Sequence, residues 1–435
     1  MKIEYRQCAP ALAGLLVWGL SIATGQGDSS ARVKAFVGAR ILDGTGKPAI
    51  EKAVLIVRAG KVEGIGPASS VRIPAGAHLV SLGGKTVIPG LINAHAHVSD
   101  VQGMRQGPEF YTEENVMRQL GLYARHGVTT VWSLGGDGDA AVKARDSQDT
   151  PALTRARIYF AGPVVVGKTP DQARQMVAKV AAMKPDVIKI RVDDNLGANP
   201  KMTPDVYRAV IDEAHRRGFR VAVHIFYLED AKALLRAGAD FIAHSVRDQD
   251  VDDEFLSLMK QRDVCYCPTF TRELSTYVYE STPAFFKDPF FLRNADHEVM
   301  RQLQEPDRQT AMKNSQSARG YKAAMPVAQR NLKKVAGAGI RIAMGTDTGA
   351  APGRWQGYFE HLELAMMAEA GLTPQQILRS ATADAALCMQ RSDRLGTLEP
   401  GKWADFVVLD KNPLEDIRNT ESLRAVWIAG NELPR

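Results

Sequence analysis

Six polar side chains stand out by where they fall relative to runs of β-branched residues. His95 and His97 lie two apart just past the apolar run 87–94, so an extended chain aims both imidazoles in one direction. His224 closes the run 221–225 and His244 follows 241–243. Asp347 follows 340–345, inside Gly345-Thr346-Asp347-Thr348-Gly349. Lys189 sits within 187–192 between two isoleucines, where a charged amine is costly unless its charge is removed or paired. Imidazole and carboxylate ligands with an open coordination position suit a catalytic zinc. Two metals close together need a bridging anion, which Lys189 supplies if its amine, depressed by burial, combines with carbon dioxide as a carbamate. Each residue alone has a plainer reading: a hydrogen-bonded histidine, a helix-capping Asp347, an ion-paired Lys189. Together, however, all six fall at or near the C-terminal ends of strand-like runs, which points to a common site. His78, His126, His215, His297 and His361 fall outside these strand ends and read as structural.

The elements that must position these residues alternate strand and helix. Strands are expected at 87–94, 128–134, 158–161, 187–192, 221–225, 241–243, 264–268 and 340–345. Helical stretches lie between them. In 204–217, for example, Val206, Tyr207, Val210, Ile211 and Ala214 keep one face apolar; 171–183 and 231–237 are similar. Eight alternations suit an α/β fold of the (β/α)8 TIM-like barrel type, with its active site at the C-terminal strand ends. A doubly wound open sheet alternates too, so periodicity alone leaves both open. Short strands between Gly and Asp turns occur at 35–42, 53–58, 61–65 and 78–82, and again at 404–409 and 423–428. They suggest one small β domain, a β-sandwich built from both termini (32–88 with 393–435), around a hydrolase barrel at 89–392.

The chain has 435 residues, 45% hydrophobic and 24% charged, which excludes collagen-like and disordered classes. Lys and Arg number 55 against 49 Asp and Glu, a small excess spread along the chain, so nucleic acid is not an expected partner. Lys2 and Arg6 precede an uncharged run at 10–24 that ends in small residues, which reads as a secretory signal peptide over 1–26. Cleavage predicts a secreted or periplasmic protein with no membrane association; it lowers the net charge from +6 to +5. Cys265, Cys267 and Cys388 then remain, an odd number without common zinc or redox spacing, and they read as buried strand cysteines.

Pro89-Gly-Leu-Ile-Asn-Ala-His95-Ala-His97, taken with Lys189, His224, His244 and Asp347, resembles the amidohydrolase superfamily, in particular its imidazolonepropionase-like branch with metal-dependent dipeptidase and amidase relatives. The resemblance extends to Asp43-Gly44-Thr45-Gly46 and to Gly396-Thr-Leu-Glu-Pro-Gly-Lys-Trp-Ala-Asp405-Phe-Val-Val-Leu409. It implies two zincs per chain. His95, His97, Lys189 and Asp347 would hold one, and Lys189, His224 and His244 the other, with carboxylated Lys189 bridging. It also implies hydrolysis of an amide-type C–N bond in a small molecule such as a dipeptide or N-acyl amino acid. A metal-activated hydroxide attacks while Asp347 acts as general base and then acid.

Two departures bear on the substrate. The tyrosine that dipeptidase relatives place two residues after the fifth-strand histidine is Phe226 here, with Tyr227 one later. The histidine expected after the third strand is absent from 162–168. Arg191 is a candidate replacement for anchoring a carboxylate; its alternative is a salt bridge to Asp193 or Asp194. The aromatic-rich stretch 270–294 reads equally as a lid with an apolar pocket wall, a packed helical hairpin or a dimer contact, and a homo-oligomer is left open. Rival functions are a mononuclear cyclic amidohydrolase, deaminase or lactonase using His95, His97, His224 and Asp347, and a non-catalytic binding protein. Tyr227 stands where many deaminases place a glutamate, which counts against deamination.

Overall fold

The computed structural model describes residues 33–434, so the expected signal peptide lies outside the described residues. The strands run β1 Lys34–Ile41, β2 Ile50–Arg58, β3 Lys61–Pro67, β4 His78–Ser81, β5 Thr86–Pro89 and β6 Leu91–Ala96. A two-residue hairpin follows, β7 Val101–Gln102 and β8 Arg105–Gln106. Then come β9 Val128–Ser133, β10 Arg157–Phe160, β11 Ile188–Arg191, β12 Val221–His224, β13 Phe241–Ala243 and β14 Cys265–Cys267. The chain closes with β15 Phe406–Leu409, β16 Leu423–Ile428 and β17 Asn431–Glu432.

Both ends of the chain build one sheet, in the order β17-β16-β15-β5-β1-β2-β3, with β4 paired to β1. Its buried face joins the termini through aromatic rings: Phe36 from β1 stands edge-on to Phe406 (4.9 Å) and Trp427 (4.6 Å). Such pairs are each worth about 0.5–1.5 kcal/mol beyond their buried area. The expected single strand at 87–94 is in fact two. β5 belongs to this terminal sheet and pairs with β15, whereas β6 pairs with β9 in the middle of the chain. Gly90 makes the change of sheet possible, because a Cβ there would lie 2.0 Å from Thr129 Oγ1.

The middle is mixed α/β with parallel strands, β10-β9-β6 in one set and β11-β12-β13-β14 in another. Backbone bonds reach from set to set: Asp186 N–H donates to Phe160 O (2.8 Å) and Val165 N–H to Lys189 O (2.8 Å). The expected eighth strand at 340–345 makes a single parallel bridge, Tyr266 with Ile342, rather than a ladder. Its flanks are nevertheless held, by Ala343 N–H on Tyr266 O (2.9 Å) and Ala94 N–H on Met344 O (2.8 Å). The run ends against β6 and β14 at Gly345, where a Cβ would meet Cys267 Sγ at 2.4 Å. Helices cover these strands. Pro204–Arg216 buries Val206, Tyr207, Val210, Ile211 and Ala214, the face read from the sequence. Leu228–Ala237 stops at Gly238, whose φ of 111° suits a residue without a side chain.

A buried ion pair ties the two parts together: Arg157 Nε of β10 donates to Asp405 Oδ2 at 2.6 Å, and the guanidinium lies 4.2 Å over the Trp403 ring. Cys265 forms a disulfide with Cys388, 123 residues later, while Cys267 is free and buried. This corrects the reading of all three as plain buried cysteines. The pairing depends on the helix Ala383–Cys388 folding back onto β14, which no local spacing announces. The aromatic stretch after β14 is a packed cluster: Phe286, Phe290 and Phe291 are buried with Tyr358 and Phe359. No helix among the described residues is long and apolar enough to cross a membrane.

Candidate active site

His95, at the end of β6, and His97, just beyond it, meet Asp347 from the loop after residue 345. One ligand atom from each of the three lies within 4.8 Å of the others. Asp347 Oδ1 is 3.3 Å from His95 Nε2 and 2.9 Å from His97 Nε2. Lys189 reaches in from β11, its Nζ 3.5 Å from His95 Nε2. His224, from β12, and His244, just after β13, complete the group; their ring centroids are 4.0 Å apart, and His244 is 4.4 Å from His95. The structure thus brings all six expected residues together. His244 and Asp347 adopt left-handed backbone conformations, φ 73° and 60°, which non-glycine residues hold only where the surroundings over-determine them.

Burial governs the electrostatics. It pushes the His95 imidazole down to about 3, helped by the neighbouring Lys189, and holds His224 and His244 well below their ordinary value. The same desolvation lowers Lys189 to about 8. Burial alone would raise Asp347, but the adjacent Arg354 guanidinium outweighs it and keeps the carboxyl far below the usual carboxylate range. These groups fit a divalent cation. His97 Nδ1 donates to the Gly135 carbonyl (2.9 Å), so in the neutral ring the Nε2 lone pair faces Asp347 Oδ1. A lone pair against a carboxylate at 2.9 Å calls for a proton or a metal. His244 Nδ1 is matched with Thr269 Oγ1 (2.7 Å), while its Nε2 is buried without a partner.

Residues 86–433 match the model of the amidohydrolase family. The chain belongs to that family. Among curated proteins it is 26% identical to the ochratoxinase of Aspergillus niger over 290 residues, covering 63% of this chain and 52% of that one. The chain therefore spans about half the length of the first curated relatives it matches. It is 24% identical to the imidazolonepropionase of Deinococcus radiodurans over 404 residues, 88% of this chain and 92% of that protein. The crystal structure of a prolidase-like protein from Bifidobacterium longum superposes with a TM-score of 0.74 at 26% identity, covering 93% of this chain and 95% of that one.

In this amidohydrolase-family chain the loops that carry the candidate site are tied from behind by two buried carboxylates. Glu360 accepts hydrogen bonds from Asn93 Nδ2 (2.6 Å), Thr348 Oγ1 (2.7 Å) and Gly357 N–H (2.7 Å), which locks β6 to the Asp347 loop. Glu363 accepts from Phe270 N–H (2.7 Å), Thr271 N–H (2.7 Å) and Thr271 Oγ1 (2.8 Å), fixing the loop that carries Thr269. Sequence reasoning missed both. Their glutamates sit three apart on the helix Tyr358–Glu369, where only the mostly apolar residues around them hint at burial.

Arg354, which pairs with Asp347 Oδ2 and donates to Ser275 Oγ (3.0 Å), also went unread, for its loop carries no motif. From the sequence, Asp193 is expected only as a partner for Arg191. It makes that contact at 3.3 Å, yet its closer partner is His224 Nε2 at 2.8 Å. The Arg191 side chain is 44% exposed. Phe226 is buried against Tyr321 and Arg247, and the Tyr227 hydroxyl donates to Asp194 Oδ1 (2.8 Å). Neither offers a free polar group.

Proposed function

We propose that the chain is a metal-dependent hydrolase of amide-type C–N bonds in small molecules of the N-acyl amino acid or dipeptide kind. In this reading the parallel strands close as a (β/α)8 barrel beside a terminal β-sandwich, and the site takes two zincs bridged by carboxylated Lys189. The observation that carries the reading is the meeting of His95, His97 and Asp347 within 4.8 Å, with Lys189, His224 and His244 at their side. Relatives named as ochratoxinase and prolidase support it.

His95, His97, Asp347 and Lys189 would hold one metal; Lys189, His224 and His244 the other. Bound there, the metals supply Lewis-acid polarisation of the scissile carbonyl and an acidified water as nucleophile. The chain's own groups do the rest. Asp347, kept ionised by Arg354, takes the nucleophile's proton and delivers it to the departing nitrogen, which leaves as a neutral amine. Arg354 fixes one carboxylate oxygen so that the other points at His95 and His97. Arg191, exposed beyond Lys189 on the same strand face, would hold a substrate carboxylate, since Phe226 and Tyr227 are already committed.

A mononuclear hydrolase using His95, His97, His224 and Asp347 is the second reading, favoured by the direct approach of Lys189 to His95. Export by the N-terminal signal peptide is part of the proposal; the Cys265–Cys388 disulfide supports an oxidising compartment. The test is turnover of a panel of dipeptides, N-acyl amino acids and lactones by zinc-loaded protein. Hydrolysis of N-acyl amino acids or dipeptides, lost on metal removal, is expected. Activity confined to lactones, or indifferent to chelation, would overturn the proposal.

A further inference from the structure

The histidines of the site differ in how their second ring nitrogen is held. His97 Nδ1 meets a backbone carbonyl, Gly135 O at 2.9 Å, and His244 Nδ1 a hydroxyl, Thr269 Oγ1 at 2.7 Å. His224 alone of these three is held by a carboxylate: its Nε2 lies 2.8 Å from Asp193 Oδ2. Asp193 sits four residues beyond Lys189, in the loop that leaves β11, and its side chain is fully buried. Its other oxygen accepts the Asn195 N–H at 2.8 Å, which closes a tight turn and sets the carboxylate's direction. An ionised carboxylate only accepts, so His224 must carry its hydrogen on Nε2. In the neutral ring the lone pair is then on Nδ1.

We propose that Asp193 is a positioning residue that selects the His224 tautomer with Nδ1 free and thereby sets the affinity of the metal position His224 shares with His244. This rests on the metal-centre reading above. The physical reason is general: a carboxylate behind a ligating imidazole fixes ring orientation and tautomer and raises the basicity of the nitrogen facing the metal. The alternative is that Asp193 only shapes the turn through Asn195. Asp193→Asn separates the two roles. The amide oxygen still takes the Asn195 N–H and keeps the turn, while the amide NH2 faces His224 Nε2. Two donors then oppose each other, so the bond is lost or the imidazole moves its hydrogen to Nδ1 and blocks the lone pair.

The experiment is zinc titration of metal-free wild type and Asp193→Asn in competition with a chromophoric chelator. The wild type should take up two equivalents. In the variant one equivalent should keep wild-type affinity and the other should weaken by about 10- to 100-fold. If the wild type binds a single equivalent, a comparable weakening of that one in the variant supports the assignment. Unchanged affinity for every bound equivalent, or equal weakening of both, overturns it. Wild type that binds no zinc sinks the metal-centre reading itself, an outcome distinct from failure of the variant alone. A second measurement needs no variant: nitrogen-15 spectra of histidine-labelled, metal-free wild type near neutral pH. The hydrogen of His224 should be on Nε2; a hydrogen on Nδ1 with Nε2 bare refutes the role of Asp193 whether or not the variant folds.

Discussion

Removing the Cys265–Cys388 bond with the double variant Cys265→Ser/Cys388→Ser should destabilise the protein measurably without unfolding it. The bond closes a loop spanning 123 residues of sequence. The chain-entropy relation gives such a cross-link about 4.9 kcal/mol at 25 °C. Unfolding entropy is about 2.1 cal/mol/K per residue near 60 °C, so residues 33–434 give about 0.8 kcal/mol/K. The quotient is a fall in Tm of about 6 °C. Scanning calorimetry of the two proteins under non-reducing conditions measures it, and peptide mapping after alkylation without reductant checks the pairing directly. A melting point within about 1 °C of wild type would refute the reasoning. So would free labelling of Cys265 and Cys388 in unreduced protein, and it would also take away the support that the disulfide gives to export.

The other expectations follow from the site and from the join between the two parts of the fold. Asp347→Asn should lower kcat by about 10²- to 10⁴-fold with little change in KM, measured on whichever substrate the panel yields; near-normal turnover would remove Asp347 from proton transfer. Asp405→Asn strips Arg157 of its buried partner and should cost about 3–5 kcal/mol in urea unfolding, against little for exposed Asp410→Asn. Lys189 is lowered to about 8, and only its neutral amine combines with carbon dioxide, releasing one proton per carbamate. The carbamate signal from carbon-13 bicarbonate should therefore climb as pH rises through about 8 and vanish in Lys189→Met. In metal-free protein, equal uptake at pH 6.5 and pH 9 would contradict carbamate formation through the neutral amine of Lys189.

Much of the site was legible because strand ends are local features. A run of β-branched residues ending near a histidine gives both the direction of the side chain and its place at a strand end, which is why His95, His97, His224 and His244 are legible in the sequence. Lys189 was legible for a different reason: a lysine between two isoleucines conflicts with burial, and such conflicts cluster where function requires them. What stayed hidden depends on contacts between distant segments. Asp193 and Arg354 lie in loops whose composition is ordinary, and only the folded chain sets them against His224 and Asp347. The disulfide is of the same kind. The split of the expected first strand at Gly90 escaped notice because an apolar run looks the same whether it serves one sheet or two. The aromatic stretch near residue 290 was ambiguous because lids and packed hairpins share a composition; its partners Tyr358 and Phe359 come about seventy residues later.

The most direct measurement of the central claim is anomalous diffraction at the zinc edge from crystals grown with zinc and bicarbonate. The account predicts two peaks per chain: one among His95, His97 and Asp347, the other beside His224 and His244, with density extending from Lys189 Nζ between them. Zinc bound elsewhere, or a site empty of metal while the protein still hydrolyses its substrate, would contradict it.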